Sequence, residues 1–244
     1  MAYKLLWQDI FNQDGKPDES IWGYETGGQG FGNGEAQYYT DRLENAFVKD
    51  GILNIVAYKE DYQKNHYTSA KLTTYGKKSI LFGRVEVSAK LPLGHGTWPA
   101  IWLLSDAFKA GTSWPLCGEI DLMEHVGHHP GFVHFSLHSK SYNHLNHLQP
   151  THIVEDMKLT EGFHEYAFEW DEAELRFYID QKHHVTFHKG DEHRLTDIGG
   201  WPFHQPFYLI LNLALGGWWG GKIDDSIFPV TMQIKYVKVY ERIG

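Results

Sequence analysis

The sequence predicts an all-β chain, and three observations carry that prediction. Apolar and polar residues alternate with the period of a strand through 48–58, 132–139, 163–170, 175–182 and 232–240. Turn chemistry punctuates the chain, as at Asp50-Gly51 and in the glycine-rich stretch 27–34. Finally, 244 residues with an apolar share of 42% can bury one sizeable core. All-β sandwiches of this length are commonly one domain, here residues 1–244.

Taken in order, residues 1–60 read as short strands joined by turns. Glycine in the loop 27–34 permits close backbone approach. No Lys-Ser/Thr pair or helical pattern follows it, which excludes a phosphate-cradling loop. Residues 48–58 form a hairpin about Asp50-Gly51. In 82–92, Arg84, Glu86 and Ser88 share one strand face, and a salt bridge from Arg84 to Glu86 or Glu35 is one reading of that arginine. In 94–104, Trp98 and Trp102 share a face, while Pro99 implies an edge strand or an irregularity. Two indole planes facing a groove make a platform for the apolar C–H faces of pyranose rings; core packing is the alternative.

Residues 114–127 hold three carboxylates, Glu119, Asp121 and Glu124, in an otherwise apolar strand bracketed by Gly118 and Gly127. Alternation puts Glu119 and Asp121 on one face and sends Ile120 and Leu122 into a core. Glu124 lies an odd number of steps from Glu119, so a regular strand would bury it uncompensated. A β-bulge near Met123 would return it to the face of the other two. Five strand steps still separate the glutamate α-carbons by roughly 13 to 16 Å. To flank one glycosidic bond at the ~5 to 5.5 Å of a retaining enzyme, they must lean together across a curved sheet. Three close acids also raise one another's pKa, as a proton donor at neutral pH requires, and Asp121 can hold that proton or orient the nucleophile. A solvated strand face and a calcium site remain alternative readings.

After the acids, 132–139 places His134, Ser136 and His138 on one face. The two histidines are then ~13 Å apart, too far to share one zinc. His125, His128, His129, His144, His147 and His152 read as surface residues. Residues 140–162 read as a polar loop on a cleft rim. Residues 163–170 and 175–182 read as a core meander, 201–221 as a long buried strand ending in a glycine loop, and 232–240 as the closing strand.

Composition narrows the function. A net charge of -9 argues against nucleic acid or an anionic membrane as partner, whereas a neutral polysaccharide is indifferent to it. Aromatics at 15% exceed what a core alone needs, which favours a carbohydrate groove. The single cysteine, Cys117, excludes an intrachain disulfide and a thiol metal motif. The amino terminus shows no apolar run of the secretory kind, so the expected location is cytoplasmic, or secreted if a leader has been removed. Composition leaves the oligomeric state open.

Glu-Ile-Asp-Leu-Met-Glu, with Trp-Pro-Leu-Cys-Gly before it, resembles the E-x-D-x-x-E signature of glycoside hydrolase family 16, in the form found in laminarinases. Further segments resemble the family in the expected order: the N-x-E-x-Q-Y-Y-T stretch from Asn33, the strand from Phe82, G-T-W-P-A-I-W, and 201–221. The resemblance implies a two-sheet antiparallel β-sandwich, a jelly roll of the concanavalin A type, with a concave substrate cleft. It implies retaining endo-hydrolysis of β-1,3-glucan, with Glu119 as nucleophile, Glu124 as acid/base and Asp121 as the helper between them. It also implies substrate contacts from Asn33, Arg84, Trp98 and Trp102, and a contact from His138 to the acids or the sugar. Mixed-linkage β-1,3-1,4-glucan, galactan, and a binding-only module are the alternatives. No cofactor is expected.

The chain departs from the family pattern at Ser88 (usually Arg), His204 (usually Asp) and Trp218 (usually Asn). Trp218 adds bulk at a loop beside the cleft and bears on glucan reach or linkage preference. Ile10 and Lys235 stand where many relatives place two acidic ligands of a structural calcium, so no metal is expected there.

Overall fold

The computed structural model describes residues 2–190 and 200–243, which form two β-sheets packed around a shared apolar core. One sheet runs in the order Thr151–Glu155, Phe132–His138, Glu119–Glu124, Thr97–Ser105, Phe207–Leu215, Lys71–Thr73 and Gly23–Tyr24, with Ser79–Ile80 beside Phe207–Leu215. The other runs Lys182–His188, Glu174–Ile179, His164–Trp170, Gly83–Lys90, Val230–Ile243, Ile52–Tyr62, Asn65–Ser69 and Tyr38–Tyr39. Ala2–Asp9 and Ala46–Lys49 flank it. Every pairing among the described strands is antiparallel except Tyr38–Tyr39 with Asn65–Ser69. The result is a jelly-roll sandwich.

Alternation explains the core. Ile101, Leu103, Ile120, Leu122, Phe135, Leu137, Leu209 and Leu211 from the first sheet meet Leu53, Ile55, Val85, Val87, Phe168, Phe177 and Val237 from the second in one cluster. The hairpin at Asp50-Gly51 has positive φ at both turn residues (52° and 78°), the backbone that suits a two-residue connection, with Lys49 opposite Ile52.

Three expectations need correction. The run 175–182 is not one strand: it breaks at Asp180-Gln181, a second turn with positive φ at both residues, and Lys182 pairs back onto Ile179. Without Asn or Gly, that turn carries no strong sequence signal. Residues 140–162 are not simply a loop, since Thr151–Glu155 pairs along Phe132–His138 and extends the first sheet. Of the two readings of Pro99, the edge strand fails and the irregularity holds: its strand is central, and register with the acid strand shifts between Ile101 and Trp102. The proline is tolerated because pairing with the acid strand begins only at Ala100, beyond which the Pro99 carbonyl accepts from the His125 N–H.

The end of the acid strand is held by close packing. A Cβ on Gly127 would lie 1.8 Å from the Gly94 carbonyl oxygen and 2.4 Å from Thr97 Oγ1, in the turn that opens Thr97–Ser105. The Gly127 N–H donates to the Thr97 carbonyl at 2.9 Å. Gly127→Ala must therefore push two backbone segments apart. We expect a loss of about 1 to 3 kcal/mol, roughly 2 to 10 °C in Tm for a chain of this size, read by thermal denaturation. An unchanged Tm would contradict this packing.

Candidate active site

The acid strand is irregular where its sequence demands it. Asp121 pairs with Trp102 and Met123 with Ile101, which leaves Leu122 without a counterpart. On the other side, Asp121 faces Ser136 and Glu124 faces His134, so three steps of one strand oppose two of the other. This is a β-bulge. It lets Leu122 and Met123 both enter the core, where each is fully buried with Ile120. Glu119, Asp121 and Glu124 consequently share the outer face of the first sheet.

Neighbouring strands complete the row. His138 stands opposite Glu119, with Nε2 3.6 Å from Glu119 Oε1 and 3.1 Å from Asp121 Oδ2. The approach to Asp121 is off the line of a hydrogen bond. Trp114 Nε1 donates to Glu119 at 3.1 Å and Trp98 Nε1 donates to Glu124 at 3.1 Å. Trp102, opposite Asp121, donates its indole N–H to Asn212 at 2.7 Å, and the Lys71 ammonium sits 4.9 Å over its ring. Leu104, Cys117, Tyr208 and Ile210 form a small buried cluster against Trp102 and Trp114, shielding the Glu119 end from water.

Burial dominates the electrostatics. It pushes Glu119 up to about 8, reinforced by Asp121 and then Glu124, and opposed by His138 and the Trp114 N–H. Burial and Asp121 bring Glu124 to about 8, against His138 and the Trp98 N–H. Asp121, only 2% exposed, is raised well above the carboxylate range by burial. Near neutral pH this face holds shared protons rather than three free charges.

Of the other expected residues, Trp98 and His138 reach the acids, and Trp102 stands opposite Asp121 on the neighbouring strand. Asn33 lies at the far end of the same face: its carbonyl accepts from the Trp218 backbone N–H at 3.0 Å and its side-chain amide donates to Glu35 at 3.3 Å. Arg84 does not join them. It lies on the second sheet, bonded to Glu86 at 2.7 Å and Glu169 at 3.3 Å, with Glu165 3.8 Å away. Alternation had put Arg84 and Glu86 on one face correctly, but that face belongs to the opposite side of the sandwich.

Several participants were not expected. Trp219 stands edge-on to Trp98 at 5.5 Å and to His134 at 4.9 Å, closing over the Glu124 end. His144 packs on Trp114 at 4.9 Å and His138 at 5.3 Å, so it is a cleft residue and not a surface one. His125 is likewise no surface residue; it is 1% exposed, and burial brings it down to about 4. Glu35, Tyr39 and Asn212 connect Asn33 to Trp102 through hydrogen bonds. The tandem indoles in 201–221 and the N-x-E-x-Q spacing were the available signals for Trp219 and Glu35.

With this geometry in place, residues 33–238 match the family model for glycosyl hydrolases family 16. The chain belongs to family 16. It is 46% identical to a β-glucanase of Rhodothermus marinus, over 98% of this chain and 85% of that protein. The crystal structure of the R. marinus laminarinase superposes with a TM-score of 0.95 at 44% identity, covering 100% and 99% of the two chains. SCLam, a non-specific endo-β-1,3(4)-glucanase of the family crystallised with an oligosaccharide, superposes at 0.90 with 38% identity over 98% and 95%.

The calcium position that many family 16 enzymes carry does not fit this chain. Ile10 and Lys235 are both exposed and offer no anionic oxygen. The adjacent Asp9 carboxylate is already taken, by the Phe11 N–H and the Trp22 indole N–H, each at 2.8 Å. Within the cleft, donor atoms of Glu119, Asp121 and His138 lie within 4.8 Å of one another. Burial raises the pKa of both carboxyls, which works against the ionised ligands a cation needs.

Two outcomes follow. Glu119 is held near 8 in the fold against about 4.3 unfolded, so its stabilising effect is complete below pH ~4.3 and is lost as pH rises through 8. Wild-type Tm is expected to fall between pH 5 and 9. Glu119→Gln, which cannot ionise, should lessen that fall and raise Tm at pH 9 more than at pH 5. Separately, millimolar calcium and a chelator are expected to leave Tm unchanged; a calcium-dependent rise would overturn the reading of Ile10 and Lys235.

Proposed function

We propose that this family 16 enzyme is a retaining endo-β-1,3-glucanase that cleaves internal bonds of neutral β-glucans such as laminarin. The observation that carries the reading is the bulge at Leu122, which turns Glu119 and Glu124 to the same face beside the Trp98 and Trp102 indoles. Retaining chemistry needs one ionised and one protonated carboxyl across the bond. Both start near 8 and repel each other, so the pair keeps one proton while releasing the other.

The remaining charge suits Glu119. His138 favours both carboxylates, but its Nε2 stands 3.6 Å from Glu119, which also accepts from the Trp114 N–H, whereas Glu124 accepts from the Trp98 N–H. Glu119 then attacks the anomeric carbon while Glu124 gives its proton to the leaving oxygen. In the second half, Glu124 takes a proton from water, which displaces the sugar from Glu119. Asp121, wedged between them beside His138, holds a proton close to Glu119 and tempers its charge.

A neutral glucan suits a chain of net charge -9, and the half-buried indoles supply flat apolar faces for its rings. The broader specificity of SCLam favours one second reading, cleavage of mixed-linkage β-1,3-1,4-glucan in the same cleft.

The test is release of reducing ends from laminarin, with mixed-linkage glucan and galactan as comparators and product configuration followed by NMR. Laminarin is expected to be cleaved with the β configuration retained. Glu124→Gln should slow turnover by about 10²- to 10⁴-fold, and Glu119→Gln should abolish it. Initial inversion of configuration, or full activity in Glu119→Gln, would refute the assignment.

A further inference from the structure

We propose that Trp218 is the floor of a distal sugar subsite, stacking on a glucosyl unit of the β-glucan beyond Asn33 and away from the acids. The inference rests on the glucanase reading above and adds to it an extension of the cleft at a position where the family pattern has asparagine. Trp218 is 76% exposed, far more than an indole retained for core packing. It is not adrift. Its backbone N–H donates to the Asn33 carbonyl, which fixes the loop that carries it, and the pyrrole edge of its ring lies over Gly34, where an added Cβ would meet Nε1 at 3.2 Å.

The loop makes a continuous path from this ring to the chemistry. A Cβ on Gly217, next to Trp218, would meet Asn33 O at 2.7 Å and Trp98 Cζ3 at 3.5 Å. Trp98 in turn holds Glu124 through its indole N–H. A glucan passing over Trp98 therefore meets the Asn33 loop and then the Trp218 indole. Stacking suits this place: an aromatic face binds the C–H side of a pyranose and leaves its hydroxyls in water. The asparagine common in the family would offer only hydrogen bonds that water also supplies.

The test compares wild type, Trp218→Asn and Trp218→Phe on β-1,3-gluco-oligosaccharides of increasing length, with mixed-linkage oligosaccharides in parallel. For Trp218→Asn we expect kcat/KM to fall about three- to tenfold on the longest chains, with a loss that shrinks as the chains shorten. Tm should be unchanged, and Trp218→Phe should recover most of the loss. Calorimetry of the longest oligosaccharide on Glu119→Gln and on Glu119→Gln/Trp218→Asn should show the same ratio in Kd. A loss independent of length, or no loss, overturns the subsite. If wild type ignores the β-1,3 series and cleaves the mixed-linkage one, the linkage assignment fails and the subsite is judged on that series. If wild type binds neither series, both proposals fall.

Discussion

The active face depends on one missing pairing. A strand with strict alternation cannot place carboxylates five residues apart on one side, and this chain does so by giving Leu122 no partner on Thr97–Ser105. Two consecutive apolar side chains, Leu122 and Met123, then fill the sandwich interior, and their burial holds the irregularity in place. The same interaction that builds the core therefore aims the acids. Gly127 acts on the next turn of chain, where only the absence of a Cβ lets the strand's end lie against the Gly94 carbonyl.

What surrounds the acids follows from what they lack. A carboxyl on a packed sheet face is deprived of water, and few full charges replace it here. Indole N–H groups from Trp114 and Trp98 and the His138 imidazole are the partners offered to Glu119 and Glu124. The opposite face shows the contrast. There Arg84 and Arg176 satisfy Glu86, Glu169 and Glu174 directly, and Tyr178, Tyr236 and Tyr240 cap the carboxylates. One face of the sandwich neutralises its acids, whereas the other leaves them under-solvated.

Much of this was legible in the residues. The odd spacing of Glu124 required a bulge, and the bulge lies within one residue of its expected place. Trp98 and Trp102 shared a face as alternation said. Arg84 shows the limit of such reasoning, because alternation assigns a side of a strand but not the sheet that the strand joins. His125 reads as a surface residue by type, yet it follows the bulge into a closely packed turn and is buried. Trp219 and His144 sit in irregular segments, where no period reveals direction. Thr151–Glu155 is a five-residue strand whose pairing depends on a distant partner.

Because the Glu119, Asp121 and Glu124 carboxyls are so close, none of the three titrates alone. Removing a proton from one carboxyl strengthens the hold of the others on theirs, so the cluster gives up its protons gradually across a broad span of pH. Such a face behaves as a small buffer built into the protein. The field met by an uncharged sugar then shifts by degrees, with no abrupt step, as the surrounding medium moves from mildly acidic to mildly basic.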